Sequence, residues 1–76
     1  MNKERRKQLE EISEQLSELK DRLESIREEE QEAFDNMPES LQTGERGQQM
    51  EQAISSMEDA ISTIETAVDE VQAASE

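Results

Sequence analysis

Carboxylates are the most abundant side chains in this chain that could do chemistry. The sequence has 21 aspartate and glutamate residues among its 76, including an acidic run at Glu28–Glu32 with Asp35 and Glu39 close behind. Carboxylate oxygens suit Ca²⁺, but a calcium loop needs ligands at fixed positions around a central glycine, and this run has neither. We therefore interpret the run as a solvated acidic helix face, and we expect no metal and no cofactor.

The residue types do not favour catalysis. The chain contains no histidine, cysteine, tyrosine or tryptophan, and it has no glycine-rich phosphate loop. A pair of nucleophile and general base therefore cannot be assembled from the usual side chains. The sequence predicts a protein that is not an enzyme and that acts by binding.

A basic cluster at the N-terminus is the first candidate for binding an anion. It comprises Lys3, Arg5, Arg6 and Lys7, at the start of a predicted helix, where the helix dipole disfavours cations. One interpretation is structural, because a fold-back would place these residues near the acidic chain end at Glu76. The other is a site for a small anionic ligand, such as a nucleotide, between subunits. The candidates for that site are Arg5, Arg6, Lys20 and Arg22.

The overall charge limits the partners. The net charge is −13, and residues 51–76 include no lysine or arginine. Such a surface repels nucleic acids and anionic membranes, so we expect no direct nucleic-acid binding and no membrane association. Two alternatives stay open: the acidic faces could imitate the phosphates of DNA, or the polar composition could belong to a disordered chain. With no apolar segment of membrane-span or signal-peptide type, the expected location is the cytoplasm.

Two runs of apolar residues at alternating spacings of three and four predict two helices. The first run is Leu9, Ile12, Leu16, Leu19, Leu23 and Ile26, and the second is Met50, Ile54, Met57, Ile61, Ile64, Val68 and Val71. Residues 34–47, between the runs, hold both glycines, the only proline and the only aromatic residue. We therefore predict an all-α single domain, a two-helix antiparallel coiled-coil hairpin. Its first helix lies at about 3–35, its connector at about 36–43 and its second helix at about 44–75.

Folding the chain back near Ser40 brings the apolar positions together in pairs. The pairs are Ile26–Ile54, Leu23–Met57, Leu19–Ile61, Leu16–Ile64, Ile12–Val68 and Leu9–Val71. The same register places Arg27 near Glu51, Lys20 near Glu58 and Ser13 near Glu65. It also places Gly47 against Ala33, and Thr43 is the predicted N-cap of the second helix.

A stripe of small residues beside the main stripe of the second helix predicts a further packing surface. Its members are Ala53, Ser56, Ala60, Thr63, Ala67 and Ala74. Small residues let another helix approach closely, although the alanines could merely favour helix while long side chains cover them. Because a lone two-helix hairpin is marginally stable, we predict a homo-oligomer, as a four-helix bundle or a larger helical assembly.

The connector carries the apolar residues that lie outside the stripes. These are Phe34, Met37 and Leu41, the candidates for binding a partner protein. The block FDNMPESLQ at residues 34–42, followed by the acidic MEQAISSMEDAISTIETAVDE, resembles small acidic helical proteins encoded by bacterial phages and mobile elements. The resemblance covers about residues 30–72. It implies a phage-related origin and a bacterial host cytoplasm, and it supplies no activity.

These observations leave three hypotheses for function. The leading one is a non-enzymatic homo-oligomeric interaction protein, a phage or mobile-element accessory with a counter-defence role, that binds a host or phage protein. The second is an acidic DNA mimic that occupies a host DNA-binding protein. The third is an oligomeric sponge for a small anionic signal nucleotide.

Overall fold

The computed structural model describes residues 1–76 as three α-helices without a β-strand. Helix α1 spans Lys3–Asp35, α2 spans Glu39–Gln42 and α3 spans Glu45–Ala74. The all-α prediction is confirmed, since 88% of the residues are helical. The short α2 lies within the segment that the sequence assigns to the connector.

The ends of α1 follow from local hydrogen bonding. At its start, the Asn2 side-chain oxygen accepts a hydrogen bond from the Arg5 backbone N–H at 2.8 Å, which satisfies one of the free donors of the first turn. At its end, the N–H of Asn36 still donates to the carbonyl of Glu32. The helix stops here because Pro38 cannot continue it and disfavours helical geometry at Met37.

Helices α1 and α3 pack against each other. Placed end to end, helices of 33 and 30 residues would span about 95 Å at about 1.5 Å per residue, whereas the molecule measures 58 × 14 × 12 Å. Lys20 in the middle of α1 lies 3.6 Å from Glu65 of α3. Ser13, nearer the start of α1, lines a depression with Gln72, nearer the end of α3.

The predicted register differs from the observed one by about one heptad. Lys20 was expected to face Glu58, but its Nζ lies 3.6 Å from a carboxylate oxygen of Glu65. Arg27 shares a depression with Glu58 rather than facing Glu51. These predicted charge pairs are therefore wrong, by about 10 Å along the helix axis. Two heptad runs match equally well after a shift of one heptad, so the apolar spacing alone cannot choose between the two registers.

Helix α1 is also rotated relative to the predicted pairing. Ser13 is only 6% exposed, whereas the apolar Ile12, Leu19 and Ile26 are 44%, 50% and 53% exposed. The predicted burial of these three residues against α3 is therefore wrong. The core consists of Ile54 and Ile61, which are 5% and 9% exposed. The half-buried Leu9, Leu16 and Leu23 lie on the α3 side of α1.

The connector is held to both long helices. The side-chain amide of Gln42 donates to the carbonyl of Phe34 at 2.8 Å, which ties the end of α2 to the end of α1. Gly47 is buried in the first turn of α3, and a Cβ at this position would overlap the backbone carbonyl group of Gln42. The close backbone neighbour of Gly47 is thus Gln42, not the predicted Ala33.

The start of α3 lacks the predicted cap. Gly44 is the N-cap residue, and it makes no side-chain hydrogen bond. The Thr43 hydroxyl instead donates to the carbonyls of Glu39 and Ser40, both at 3.4 Å. Thr43 therefore ends α2 rather than starting α3, because α2 intervenes between the two long helices.

Candidate interaction surfaces

The connector surface, formed by Phe34, Met37 and Leu41, lies at one end of the molecule. Phe34 belongs to the last turn of α1 and is half-buried, as is Met37, whereas Leu41 of α2 is 52% exposed. Backbone hydrogen bonds from Leu41 and Gln42 to the carbonyl of Pro38, at 2.9 and 3.1 Å, fix the chain around it. The structure thus brings the three predicted residues to one end, with Leu41 the most accessible of them.

One edge of the contact between α1 and α3 is polar. On α1 it contains Ser13, Ser17, Lys20, Glu24 and Arg27, and on α3 it contains Glu58, Ser62, Glu65, Asp69 and Gln72. Lys20 lies 4.0 Å from Glu24 of its own helix and 3.6 Å from Glu65 across the edge. We call this set the polar edge. The predicted pairing placed its α1 row of Ser13, Lys20 and Arg27 against the same acidic row of α3, but one heptad away from the observed contact.

The opposite edge is apolar. Side chains four residues apart differ in direction by about 40–50° around the helix axis. Going around α1, the row of Leu19 therefore comes first, the row of Leu23 next and the row of Arg27 last. Around α3 the rows run from Glu65 through Ile61 and Met57 to the alanines. Since the rows of Lys20 and Glu65 meet at the polar edge, the rows of Leu19 and of the alanines, farthest from them around each helix, border the opposite edge.

We call the surface along this opposite edge the apolar face. It comprises Ile12, Leu19 and Ile26 of α1 and Ala60, Ala67 and Ala74 of α3, with the half-buried Leu16, Leu23, Met57 and Ile64 between them.

The predicted small-residue stripe follows the α3 side of this face. Ala53 and Ala67 are half-buried, and Ser56, Ala60, Thr63 and Ala74 are exposed. The hydroxyl of Thr63 donates to the carbonyl of Asp59 at 2.9 Å, so this polar group is already satisfied within the helix. Because its side chains are small, the stripe leaves the backbone of α3 open to close approach by another helix.

The predicted anion-binding residues do not form one site within a chain. Lys20 already contacts two carboxylates at the polar edge, and Arg22 is exposed on α1. Arg6 lies about 24 Å from Arg22 along the helix, at about 1.5 Å per residue. Arg5 lies beside Arg6 in the exposed first turns of α1.

The basic cluster also lies away from its predicted acidic neighbours. The residues of α1 that share a depression with Ser75 are Glu10, Ser13 and Glu14. Arg6 lines a separate depression whose residues all belong to α1. The first two turns of α1 therefore extend past the end of α3, and the expected position beside Ser75 and Glu76 is wrong.

Two further features are absent from the structure. No three or more histidine, cysteine, aspartate or glutamate side chains come together in a way that could hold a metal ion. None of the helices combines the length and the apolar composition that a membrane crossing requires.

Sequence reasoning missed the division of the α1 leucines and isoleucines into two rows. A signal for it exists, because Ser13, Lys20, Arg27 and Phe34 form a heptad row of their own directly after Ile12, Leu19, Ile26 and Ala33. A row with two cations can face the acidic row of Glu58 and Glu65.

Comparison of the chain with protein families, with curated proteins and with solved structures found no match.

Proposed function

We propose that this chain is an antiparallel two-helix coiled-coil hairpin and that it works as a non-enzymatic, homo-oligomeric interaction protein. Its connector surface binds a partner protein. The observation that carries the proposal is an accessible leucine, Leu41, at the tip of an elongated molecule, on a segment whose backbone is fixed by hydrogen bonds.

The fixed backbone supports binding because ordering costs are avoided. A loop that must become ordered on binding loses about 0.5–1.5 kcal/mol for each immobilised side chain, besides the entropy of its backbone. Here α2 is held by the bonds from Leu41 and Gln42 to Pro38 and from the Gln42 side chain to Phe34. A partner that covers Leu41 therefore gains apolar burial without ordering the segment first.

The chemistry around the connector indicates what kind of partner fits. Asp35, Glu39 and Glu45 lie close to the apolar residues in the sequence and are all exposed. A partner would thus offer an apolar pocket for Leu41 with basic residues at its rim, since charge complementarity speeds association and excludes acidic competitors. The resemblance of residues 30–72 to small acidic proteins of phages and mobile elements supports a partner in the bacterial host or the phage. A counter-defence role in the host cytoplasm is part of this proposal.

Affinity capture tests the proposal. Wild-type protein, Leu41→Ala and Leu41→Met would be immobilised and exposed to a bacterial lysate, and the retained proteins identified by mass spectrometry. We expect at least one protein to be retained by wild type and Leu41→Met and lost with Leu41→Ala, because methionine keeps the apolar contact. Circular dichroism would confirm that Leu41→Ala stays helical. Identical sets of retained proteins for all three variants would refute the role of the connector.

Salt dependence separates this proposal from DNA mimicry. An acidic mimic binds through many ion pairs, so its complex would weaken steeply with salt and would be displaced by duplex DNA. A complex formed through Leu41 would persist at high salt. A captured protein that is released by salt and by DNA, and that still binds Leu41→Ala, would favour the acidic mimic.

A further inference from the structure

We infer that a second copy of this chain covers the apolar face, with each large residue of α1 packed against an alanine of the other copy's α3. The inference deepens the proposed function and rests on its hairpin, because it states which surface makes the protein a homo-oligomer. It also sets the arrangement, a four-helix bundle in which the two copies lie in parallel with both connectors at the same end.

The first support is the position of large and small residues along the molecule. Lys20 faces Glu65, so the preceding residue, Leu19, lies within about one helical rise, 1.5 Å, of the level of Ala67. Ser13 shares a depression with Gln72, so the preceding Ile12 lies near the level of Ala74. Arg27 likewise shares a depression with Glu58, so Ile26 lies near the level of Ala60. Each of three levels of the apolar face therefore carries one large residue and one alanine.

This pattern is self-complementary under a two-fold axis parallel to the helices. Such an axis places α1 of one copy over α3 of the other at the same level. Leu19 then meets Ala67 of the second copy, and large residues face small ones at every level, which fills the space evenly. An axis across the helices would instead set Leu19 on Leu19 and Ala67 on Ala67, so that the two pairs of helices would need different separations.

The second support is the surface area. A compact folded monomer of this mass exposes about 4,700 Å² by the scaling of area with mass, whereas this chain exposes 5761 Å² with a mass of 8.7 kDa. The difference is about 1,000 Å², and a stable protein–protein interface buries about 800 Å² on each partner. The excess exposed area of this chain is therefore about as large as the area that each copy would bury in a stable dimer.

The third support is charge. The net charge of −13 opposes association of two copies through most of the surface, but the apolar face carries no charged residue from Ile12 to Ile26. Charge returns only toward the connector, where Glu30 and Arg46 line a depression with Met50. Of the seven residues in the rows that border it, four are neutral: the rows are Gln8, Gln15, Arg22 and Glu29 on α1, and Ser56, Thr63 and Glu70 on α3. Two copies therefore meet with least repulsion on this face, whereas the polar edge would bring carboxylates together.

Disulfide trapping tests the arrangement, and the chain has no cysteine of its own. Leu19→Cys and Ala67→Cys would be prepared separately, with a mass tag on one, then mixed and oxidised mildly. We expect a mixed disulfide dimer to form at least about tenfold faster than either variant links to itself, since contact raises the effective concentration of the two thiols. Ser17→Cys mixed with Ser62→Cys, on the polar edge, is the control and should link no faster than free thiols in solution.

Two results would overturn the inference. One is self-linking of Leu19→Cys as fast as its linking to Ala67→Cys, which would refute the stated pairing. The other is a wild-type protein with the mass of one chain by light scattering, together with no mixed disulfide. The connector is left intact in these variants, so a monomer that still captures a partner through Leu41 would overturn this inference and the oligomeric part of the proposal, while the partner-binding role of the connector would stand. Loss of capture with normal trapping would overturn only the proposed function.

Discussion

Replacing Gly47 with alanine tests whether the connector is clamped against α3, because the connector surface depends on that contact. Gly47 is buried, and an added Cβ would overlap the carbonyl group of Gln42. The obstructing atoms are backbone, so they cannot move aside as the end of a flexible side chain could. Inserting one methyl into such a contact costs about 1–3 kcal/mol. The gain in helix propensity from glycine to alanine offsets about 1 kcal/mol of that.

Because the overlapping atoms are backbone, the cost falls in the upper part of that range, at about 2–3 kcal/mol. After the offset of about 1 kcal/mol we expect Gly47→Ala to lower the free energy of unfolding by about 1–2 kcal/mol. In a domain of this size each kcal/mol lowers the melting temperature by about 4–8 °C. Thermal unfolding followed by circular dichroism at fixed protein concentration would measure it. Gln48→Ala is the matched control, since Gln48 is the exposed next residue of the same helix and the substitution should change stability by less than about 0.5 kcal/mol. A Gly47→Ala protein as stable as the control would show that α2 does not pack on α3 as described.

Two further predictions address the register of α1 and α3. A double-mutant cycle on Lys20 and Glu65, each changed to alanine and measured by urea unfolding, should give a coupling energy of about 0.2–1 kcal/mol, because both side chains are partly exposed. The same cycle on Lys20 and Glu58 should give no coupling. Coupling of Lys20 to Glu58 and not to Glu65 would support the sequence-based register instead. Ile54→Ala should lower the unfolding free energy by about 2–5 kcal/mol, since Ile54 is 5% exposed. Ile26→Ala should lower it much less when the protein is dilute enough for oligomers to dissociate. Equal losses would show that both residues are buried within one chain.

The sequence predicts the helices better than it predicts their contact. The alternation of apolar residues by three and four indicates α-helix because only that spacing keeps them on one side of a helix. Pro38 and the two glycines mark the interruption for equally local reasons. The register is not local. Equivalent heptad alignments place Lys20 beside either Glu58 or Glu65 of the same acidic row, so the choice between them depends on how the connector lets α2 fit over Gly47. The clash at Gln42 involves atoms five residues away in a different helix, and neither composition nor periodicity reveals it.

The exposed row of Ile12, Leu19 and Ile26 explains why the simple pairing of α1 with α3 fails. One neighbouring helix covers one edge of α1, whereas the apolar residues of α1 occupy two adjacent rows. If α3 covers the row of Leu9, Leu16 and Leu23, then the other row is left for a second neighbour. In a four-helix bundle each helix has two neighbours, so both rows are used. A spacing of three and four along α1 thus fits two contacts as well as one, and the rotation of α1 that contradicts the predicted pairing leads to the proposed dimer.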